Sequence, residues 1–413
     1  MTPRAVLALA DQELEPMLQL LARLVEVNSH ADHAAGVDAC LAEVAPVLRA
    51  LGFVVELVES EAPSSHPGAP PLRRRHLVAD WAGAGSAAPR LPDATRPQVL
   101  LMGHLDTVFP ADHPFQRLER AADRWRGPGV SDMKGGIVTA LLTLRLLSRF
   151  GALALARWRM VLVTDEEEGS PTGAAVLERA AAGVDLALSF EAARACGGLV
   201  LARKGYGSAR LVVRGRSGHA GIDHDQGSNA LTALARFIAA AEALERDHDG
   251  LTVSPGGAVR VAPAQLSTIP DHAECELEWR FFEMEVGHAV QTALAGLAER
   301  IGREAGARLE LTARIETPPM AATAQSRRLL DRYVSAAREL GFEVRGVATA
   351  GVGDINQLAQ RGTVCLDGVG PEGGNFHTVD EHLRVASVAP RAAMNVLALA
   401  RYLAELPPPG APR

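Results

Sequence analysis

The 413-residue chain sets 42 Lys and Arg against 49 Asp and Glu, a net charge of −7, and 47% of it is hydrophobic. That balance gives no general electrostatic reason to bind nucleic acid or an acidic membrane surface, and no apolar run approaches the ~18 residues that a membrane-spanning helix requires. A chain this long outgrows a single core, so two domains are expected.

At the amino terminus, the apolar stretch 5–10 is too short for a signal peptide and is soon interrupted by Asp11, Glu13 and Glu15, so cytoplasmic residence is the expectation. Apolar residues recur at helical spacing over 13–27 and again over 37–51 before a glycine stop at Gly52, which predicts two packed helices. Strand signals at 54–58 and 76–81 are separated by a Pro/Ser/Gly loop at 61–71, and a second polar loop spans 83–97; both loops are expected to be mobile. A strongly apolar helix at 135–149 ends at Gly151, and short apolar runs at 99–102, 160–163 and 186–190 read as buried strands. Helices alternate with strands, so the fold class is α/β with a mainly parallel mixed sheet flanked by helices. From 207 to 315 the order changes to β-α-β-β-α-β: strand 207–214, helix 227–245, strands within 251–267 and 273–282, helix 284–305, strand 308–315. That order predicts a two-layer α+β sandwich at 204–317, inserted into a first domain made of 1–203 and 318–413. Cys40, Cys196, Cys275 and Cys365 lack paired spacing, which points to buried small apolar residues, with neither a disulfide framework nor a thiolate zinc site.

The chemistry concentrates in seven side chains: His104, Asp106, Asp132, Glu166, Glu167, Glu191 and His377. His104, the Glu166–Glu167 pair and Glu191 each follow one of the buried-strand runs, and ligands gather at the carboxyl ends of strands in open α/β sheets. His377 follows an apolar run at 364–366 and a glycine-rich stretch at 368–374 that can swing it back to the same edge. Two metal ions fit this pattern. Asp106, two residues beyond His104, can orient the imidazole; the alternative is a satisfied polar pair at a strand end. Asp132 lies between two glycine pairs at a loop-to-helix junction, where it can bridge two cations or serve as a helix N-cap. Only Lys134 and Lys204 are lysines in a chain that otherwise uses arginine, so a compact ammonium is expected to matter beside Asp132. The run of acids at 165–168 repels itself unless cations compensate, and two adjacent glutamates suit one metal ligand and one free base. Oxygen and imidazole donors without thiolate favour zinc, with cobalt or manganese able to take the same shell.

Gly-His-Leu-Asp-Thr-Val at 103–108, Asp-Met-Lys-Gly-Gly at 132–136 and Thr-Asp-Glu-Glu at 164–167 together resemble the co-catalytic dinuclear zinc metallopeptidase family. That family includes glutamate carboxypeptidase, aminoacylase, acetylornithine deacetylase and succinyl-diaminopimelate desuccinylase. The resemblance implies a zinc-exopeptidase-like fold with an inserted lid that dimerises. It implies that His104 and Glu191 bind one zinc, Glu167 and His377 the other, that Asp132 bridges them, that Glu166 is the general base, and that Asp106 steadies His104. It further implies that His219, in the turn 215–221, reaches the neighbouring subunit's active site to stabilise the oxyanion, and that Arg280 grips a substrate carboxylate. For Arg280 a surface ion pair with Glu276 or Glu278 stands as the alternative. The family asparagine before this hairpin is absent from 266–270. By the same resemblance, glutamate at 191 leans toward cleavage beside a free carboxylate in a peptide or an N-acyl amino acid. A deacetylase or desuccinylase is the alternative enzyme, and a non-catalytic metal-binding dimer the alternative of another class.

Overall fold

The computed structural model describes residues 1–64, 69–83, 96–194 and 197–406. Cys196, the closing residues 407–413 and the hearts of the two polar loops, at 65–68 and 84–95, lie outside the described residues. The chain forms two compact units: Met1–Leu201 with Ala322–Ala348 and Gly353–Arg413, and Ala202–Ala321 with Thr349–Val352.

In the first unit, eight strands lie in the spatial order Phe53–Ala62, Leu72–Trp81, Arg157–Val163, Gln98–His104, Leu186–Ser189, Val364–Asp367, Leu199–Arg203, Gly346–Thr349. Arg157–Val163, Gln98–His104, Leu186–Ser189 and Val364–Asp367 run parallel to one another. The strands flanking this centre pair antiparallel. Every residue of Gln98–His104, Leu186–Ser189 and Val364–Asp367 is buried, as expected of strands covered on both faces. The covering helices include Pro3–Glu26, Lys134–Arg149, Ala324–Glu339 and Val388–Glu405, which pack on one another around a core that takes in Leu21, Leu141, Trp158, Tyr333 and Leu397. No described helix is long and apolar enough to cross a membrane.

The first helix starts ten residues before its clear periodicity. Pro3 occupies the first turn, the Thr2 hydroxyl accepts from the Ala5 N–H, and Val6 and Ala10 are buried, so capping and burial extend it. Its far end explains Lys134. That ammonium is buried and donates to the Leu24 carbonyl at 2.9 Å and the Val27 carbonyl at 3.1 Å. A three-donor cation at a helix carboxyl terminus meets unpaired carbonyls and favourable dipole charge together.

The second unit has an antiparallel sheet in the order Thr252–Ala262, His272–Phe281, Gly205–Arg214, Arg308–Thr317. Helices Ala230–Ala243 and Met284–Ala305 cover one face, enclosing Leu211, Phe237, Trp279 and Leu294. Thr349–Val352 belongs here because polar groups of this unit hold it. Lys204 N–H donates to the Thr349 carbonyl at 3.1 Å, Arg280 Nη1 to Ala350 at 3.1 Å, and Arg203 Nη1 to Gly351 and Val352 at 3.0 and 3.1 Å.

Candidate metal centre

The parallel strands end where the acids and imidazoles begin. His104 closes its strand and is buried. Its Nδ1 lies 3.1 Å from the Asp106 carbonyl and 3.4 Å from Asp106 Oδ1, so that nitrogen carries the proton. Nε2 is thereby turned toward Asp132 Oδ1 at 3.2 Å and Glu191 Oε1 at 3.5 Å. Asp106 Oδ2 accepts from the Glu167 N–H at 2.8 Å, which ties the imidazole to the acidic turn.

That turn separates its four acids by environment. Asp165 is buried and accepts from the Thr172 N–H and hydroxyl and the Gly173 N–H, which seats helix Gly173–Ala180. Glu168 faces Arg74 at 3.8 Å. Glu167 Oε2 lies 3.1 Å from His377 Nε2. The Glu166 carboxylate is half-buried and makes no hydrogen bond or ion pair with the described residues. Burial pushes its pKa well above the ordinary carboxylate range, against the pull of His104 and with the help of Asp354, Glu191 and Glu167.

Asp132 is delivered by a turn built on Glu381. The Glu381 carboxylate, 1% exposed, accepts from the N–H groups of Gly129, Ser131 and Asp132 at 2.9, 2.9 and 3.0 Å. Burial nevertheless pushes its pKa up to about 7. The helix that follows begins at Lys134 with Met133 in the cap position and no side-chain cap, so Asp132 is not its N-cap. His377 stands in a left-handed backbone conformation with φ 60°, as does Asn375 with φ 57°, a costly state for non-glycine residues. The Asn375 carbonyl accepts from the Thr378 N–H at 3.2 Å and hydroxyl at 2.8 Å, which holds the turn. The glycine stretch does bring His377 back: its Nε2 is 3.2 Å from Asp132 Oδ2.

The result is two trios of donors, His104–Asp132–Glu191 and Asp132–Glu167–His377, each with ligand atoms within 4.8 Å of one another. Asp132 belongs to both and turns a different oxygen toward each histidine. The crowding shows in the electrostatics. Hydrogen bonds to Asp132 and Glu167 raise His377 to about 10. Burial opposes a charged His104, yet Asp106, Asp132 and Glu191 outweigh it and raise its pKa well above the usual value. Burial likewise pushes Glu167 and Glu191 up. Converging carboxylates that favour positive charge beside them, joined by two imidazole nitrogens and no thiolate, fit oxygen- and nitrogen-preferring divalent cations.

A model of Peptidase family M20/M25/M40 matches residues 100–401. The chain belongs to this family. Carboxypeptidase G2 of Pseudomonas sp. (strain RS-16) is 26% identical over 392 residues, covering 92% of this chain and 88% of the relative. Succinyl-diaminopimelate desuccinylase of Delftia acidovorans is 27% identical over 395 residues, covering 90% of this chain and 94% of the relative. In fold, the crystal structure of aminopeptidase PepT from Bacillus cereus superposes with a TM-score of 0.77 at 20% identity, over 95% of this chain and 99% of that one. The chain is thus an M20 metallo-hydrolase with residues positioned to bind metal.

Two more residues singled out in this M20 sequence lie in the second unit. His219 is exposed, and its Nδ1 accepts from the N–H groups of Gly221 and Ile222, each at 3.2 Å. The proton must therefore sit on Nε2, which leaves that nitrogen a donor. Arg280 donates from Nε to Glu278 at 2.8 Å and stacks on Tyr206, 5.6 Å from the ring centroid. It thus holds the ion pair named as its alternative, and with Glu278 rather than Glu276.

Sequence reading passed over Glu381, although it adjoins His382, which sits outside both trios. It also passed over Lys204 as a partner for Arg280. The Lys204 ammonium lies 5.6 Å over Phe282, and burial and then the Arg280 charge lower its pKa.

Proposed function

We propose that this M20 hydrolase cleaves the amide bond beside a free carboxylate in a small peptide or N-acyl amino acid. The observation that carries the reading is Asp132, whose two oxygens face His104 and His377 while the unbonded Glu166 carboxylate stands next to Glu167. In this reading His104 and Glu191 hold one ion, Glu167 and His377 the other, and Asp132 both; zinc suits the set best, and cobalt or manganese can replace it. When bound, such a pair would polarise the scissile carbonyl and make a water molecule more acidic. Glu166 takes that water's proton and passes it to the leaving nitrogen, which its burial favours by raising the proton affinity of the carboxylate. Asp106 keeps the His104 proton on Nδ1 and steadies the Glu167 backbone.

Arg280, with Lys204 beside it, supplies the grip on the substrate carboxylate, a task for a planar bidentate donor. Arg280→Ala is expected to raise KM roughly tenfold to a hundredfold with little change in kcat, because it removes a charge-assisted contact. Unchanged steady-state kinetics would reduce Arg280 to its pair with Glu278.

His219 and Arg280 lie toward opposite ends of one sheet. Arg280 pairs with Tyr206, and the turn bearing His219 follows Arg214, eight residues along that strand. At ~3.3 Å per residue the strand from Tyr206 to Arg214 spans roughly 26 Å, a separation that disfavours one small substrate touching both side chains from a single chain. This supports a homodimer formed through the second unit, the lid, in which His219 Nε2–H serves the partner's site by donating to the developing oxyanion. His219→Ala is expected to lower kcat by about 10²–10³, and mixing it with a Glu166→Gln variant to recover part of the activity. Absence of any recovery after subunit exchange would refute sharing.

The reading as a whole is tested by amino-acid release from a panel of peptidyl and N-acyl glutamates and N-succinyl amines, with and without a chelator. Chelator-sensitive cleavage of the carboxylate-terminated substrates is expected. Preference for the N-succinyl series would favour the deacylase reading, which the desuccinylase relative supports; no turnover of any member would overturn both.

A further inference from the structure

The acidic turn that carries Glu166 is closed by strained backbone. It contains the single 3-10 turn Glu166–Glu168 and ends on two residues in the left-handed region, Gly169 at φ 84° and Ser170 at φ 53°. Glycine takes that conformation freely, whereas for serine it is costly. Backbone hydrogen bonds close the loop: the Gly169 N–H donates to the Glu166 carbonyl and the Ser170 N–H to the Asp165 carbonyl, each at 2.8 Å. The Ser170 carbonyl in turn accepts from the Ala174 N–H at 3.0 Å, which joins the turn to helix Gly173–Ala180. The Glu166 carboxylate makes no hydrogen bond or ion pair with the described residues, so its aim depends on this backbone.

Asp354 pins the strained corner from far along the chain. Its Oδ1 accepts from the buried Ser170 hydroxyl at 2.6 Å, the length of a hydroxyl bonded to an ionised carboxylate. Asp354 occupies the N-cap position of helix Ile355–Ala359, where an aspartate ordinarily accepts from the helix's own N–H groups. It makes no such bond. Its Oδ2 is buried with no partner among the described residues. Burial pushes the carboxyl pKa up to about 7, against the pull of the Ser170 hydrogen bond. A buried carboxylate that neither caps its helix nor pairs with a cation is unfavourable for the fold, and its one side-chain contact leads to the turn that bears Glu166.

We propose that Asp354 is a positioning residue for hydrolysis: by holding the Ser170 hydroxyl it fixes the turn Asp165–Ser170 in the shape that aims the Glu166 carboxylate. The proposal rests on Glu166 being the general base. Asp354→Ala and Ser170→Ala are each expected to lower kcat by about 10–100-fold, the loss that a misplacement on the order of 1 Å brings, with KM within about twofold of wild type and metal content unchanged. The double variant should be no slower than the slower single one, because both substitutions remove the same hydrogen bond. Asp354→Asn, whose amide oxygen still accepts from Ser170, should recover most of the rate. Independently of turnover, hydrogen exchange over residues 166–170 should quicken in both alanine variants, with metal or without it. Wild-type kcat in the alanine variants, losses that multiply in the double variant, KM rising in step with the loss, metal lost in proportion to rate, unchanged exchange, or an asparagine variant no faster than the alanine would each overturn the proposal. Glu166→Gln, run alongside, separates this inference from the reading beneath it. If that variant kept the wild-type rate, the base and its support would fall together; if it were inactive while Asp354→Ala and Ser170→Ala were unimpaired, only the role of Asp354 would fall. Should Asp354→Ala not fold, Ser170→Ala, which removes a single buried oxygen, decides it by the same measures.

Discussion

Glu166→Gln is expected to lower kcat by about 10²–10⁴ while the protein retains its full complement of metal. The amide keeps the shape of the side chain and removes its capacity to take a proton. Glu166 is the acid of the 165–168 run with no other assignment: Asp165 seats a helix, Glu168 faces Arg74, and Glu167 faces His377 and Asp132 within a donor trio. The contrast is therefore Glu167→Gln, which should lose activity together with metal. Single-turnover rates and metal analysis on the two variants check the division. If Glu166→Gln turned over near the wild-type rate, the general base would have to be sought elsewhere, and if it lost metal as Glu167→Gln does, the roles of these neighbours would need to be exchanged.

How far the sequence predicts this site depends on the kind of interaction that builds it. Strand segments buried on both faces are uninterrupted apolar runs, so the runs at 99–102 and 160–163 within Gln98–His104 and Arg157–Val163 could be read directly, and with them the edge where His104 and Glu167 emerge. Met284–Ala305 was equally plain, because a long amphipathic helix stopped by Gly306 in the left-handed region leaves a strong period and a clear end. Glu381 left no such trace. Its carboxylate is spent on backbone N–H groups about 250 positions earlier, and backbone donors have no sequence signature. The same holds for Lys134, whose acceptors are carbonyls of the first helix, and for Thr349–Val352, gripped through its own carbonyls. An acid's neighbours in sequence also do not reveal whether it is consumed by a cap, as Asp165 is, or left free, as Glu166 is. Side chains that meet side chains at a sheet edge are legible; side chains that hold backbone become visible only once the chain is folded.

Asp132→Ala is expected to cost both ions, whereas His104→Ala and His377→Ala should each cost chiefly one. The reasoning is geometric: Asp132 is the member common to the two trios, with Oδ1 3.2 Å from His104 Nε2 and Oδ2 3.2 Å from His377 Nε2. Removing either histidine leaves the other trio whole, while removing Asp132 leaves each with a single carboxylate and a single imidazole, half of a tetrahedral shell. The metal-free fold should also suffer, because Asp132 pairs with both imidazoles, whose pKa values it raises while they lower its own, and that favourable pairing outweighs its repulsion of Glu167 and Glu191. Thermal unfolding in chelator should therefore show Asp132→Ala less stable than wild type, and metal added back should widen the gap by stabilising the wild type far more than the variant. Metal analysis after dialysis separates the cases. An Asp132→Ala protein that keeps one ion as tightly as wild type would show that the two sites are independent and that this carboxylate joins only one of them.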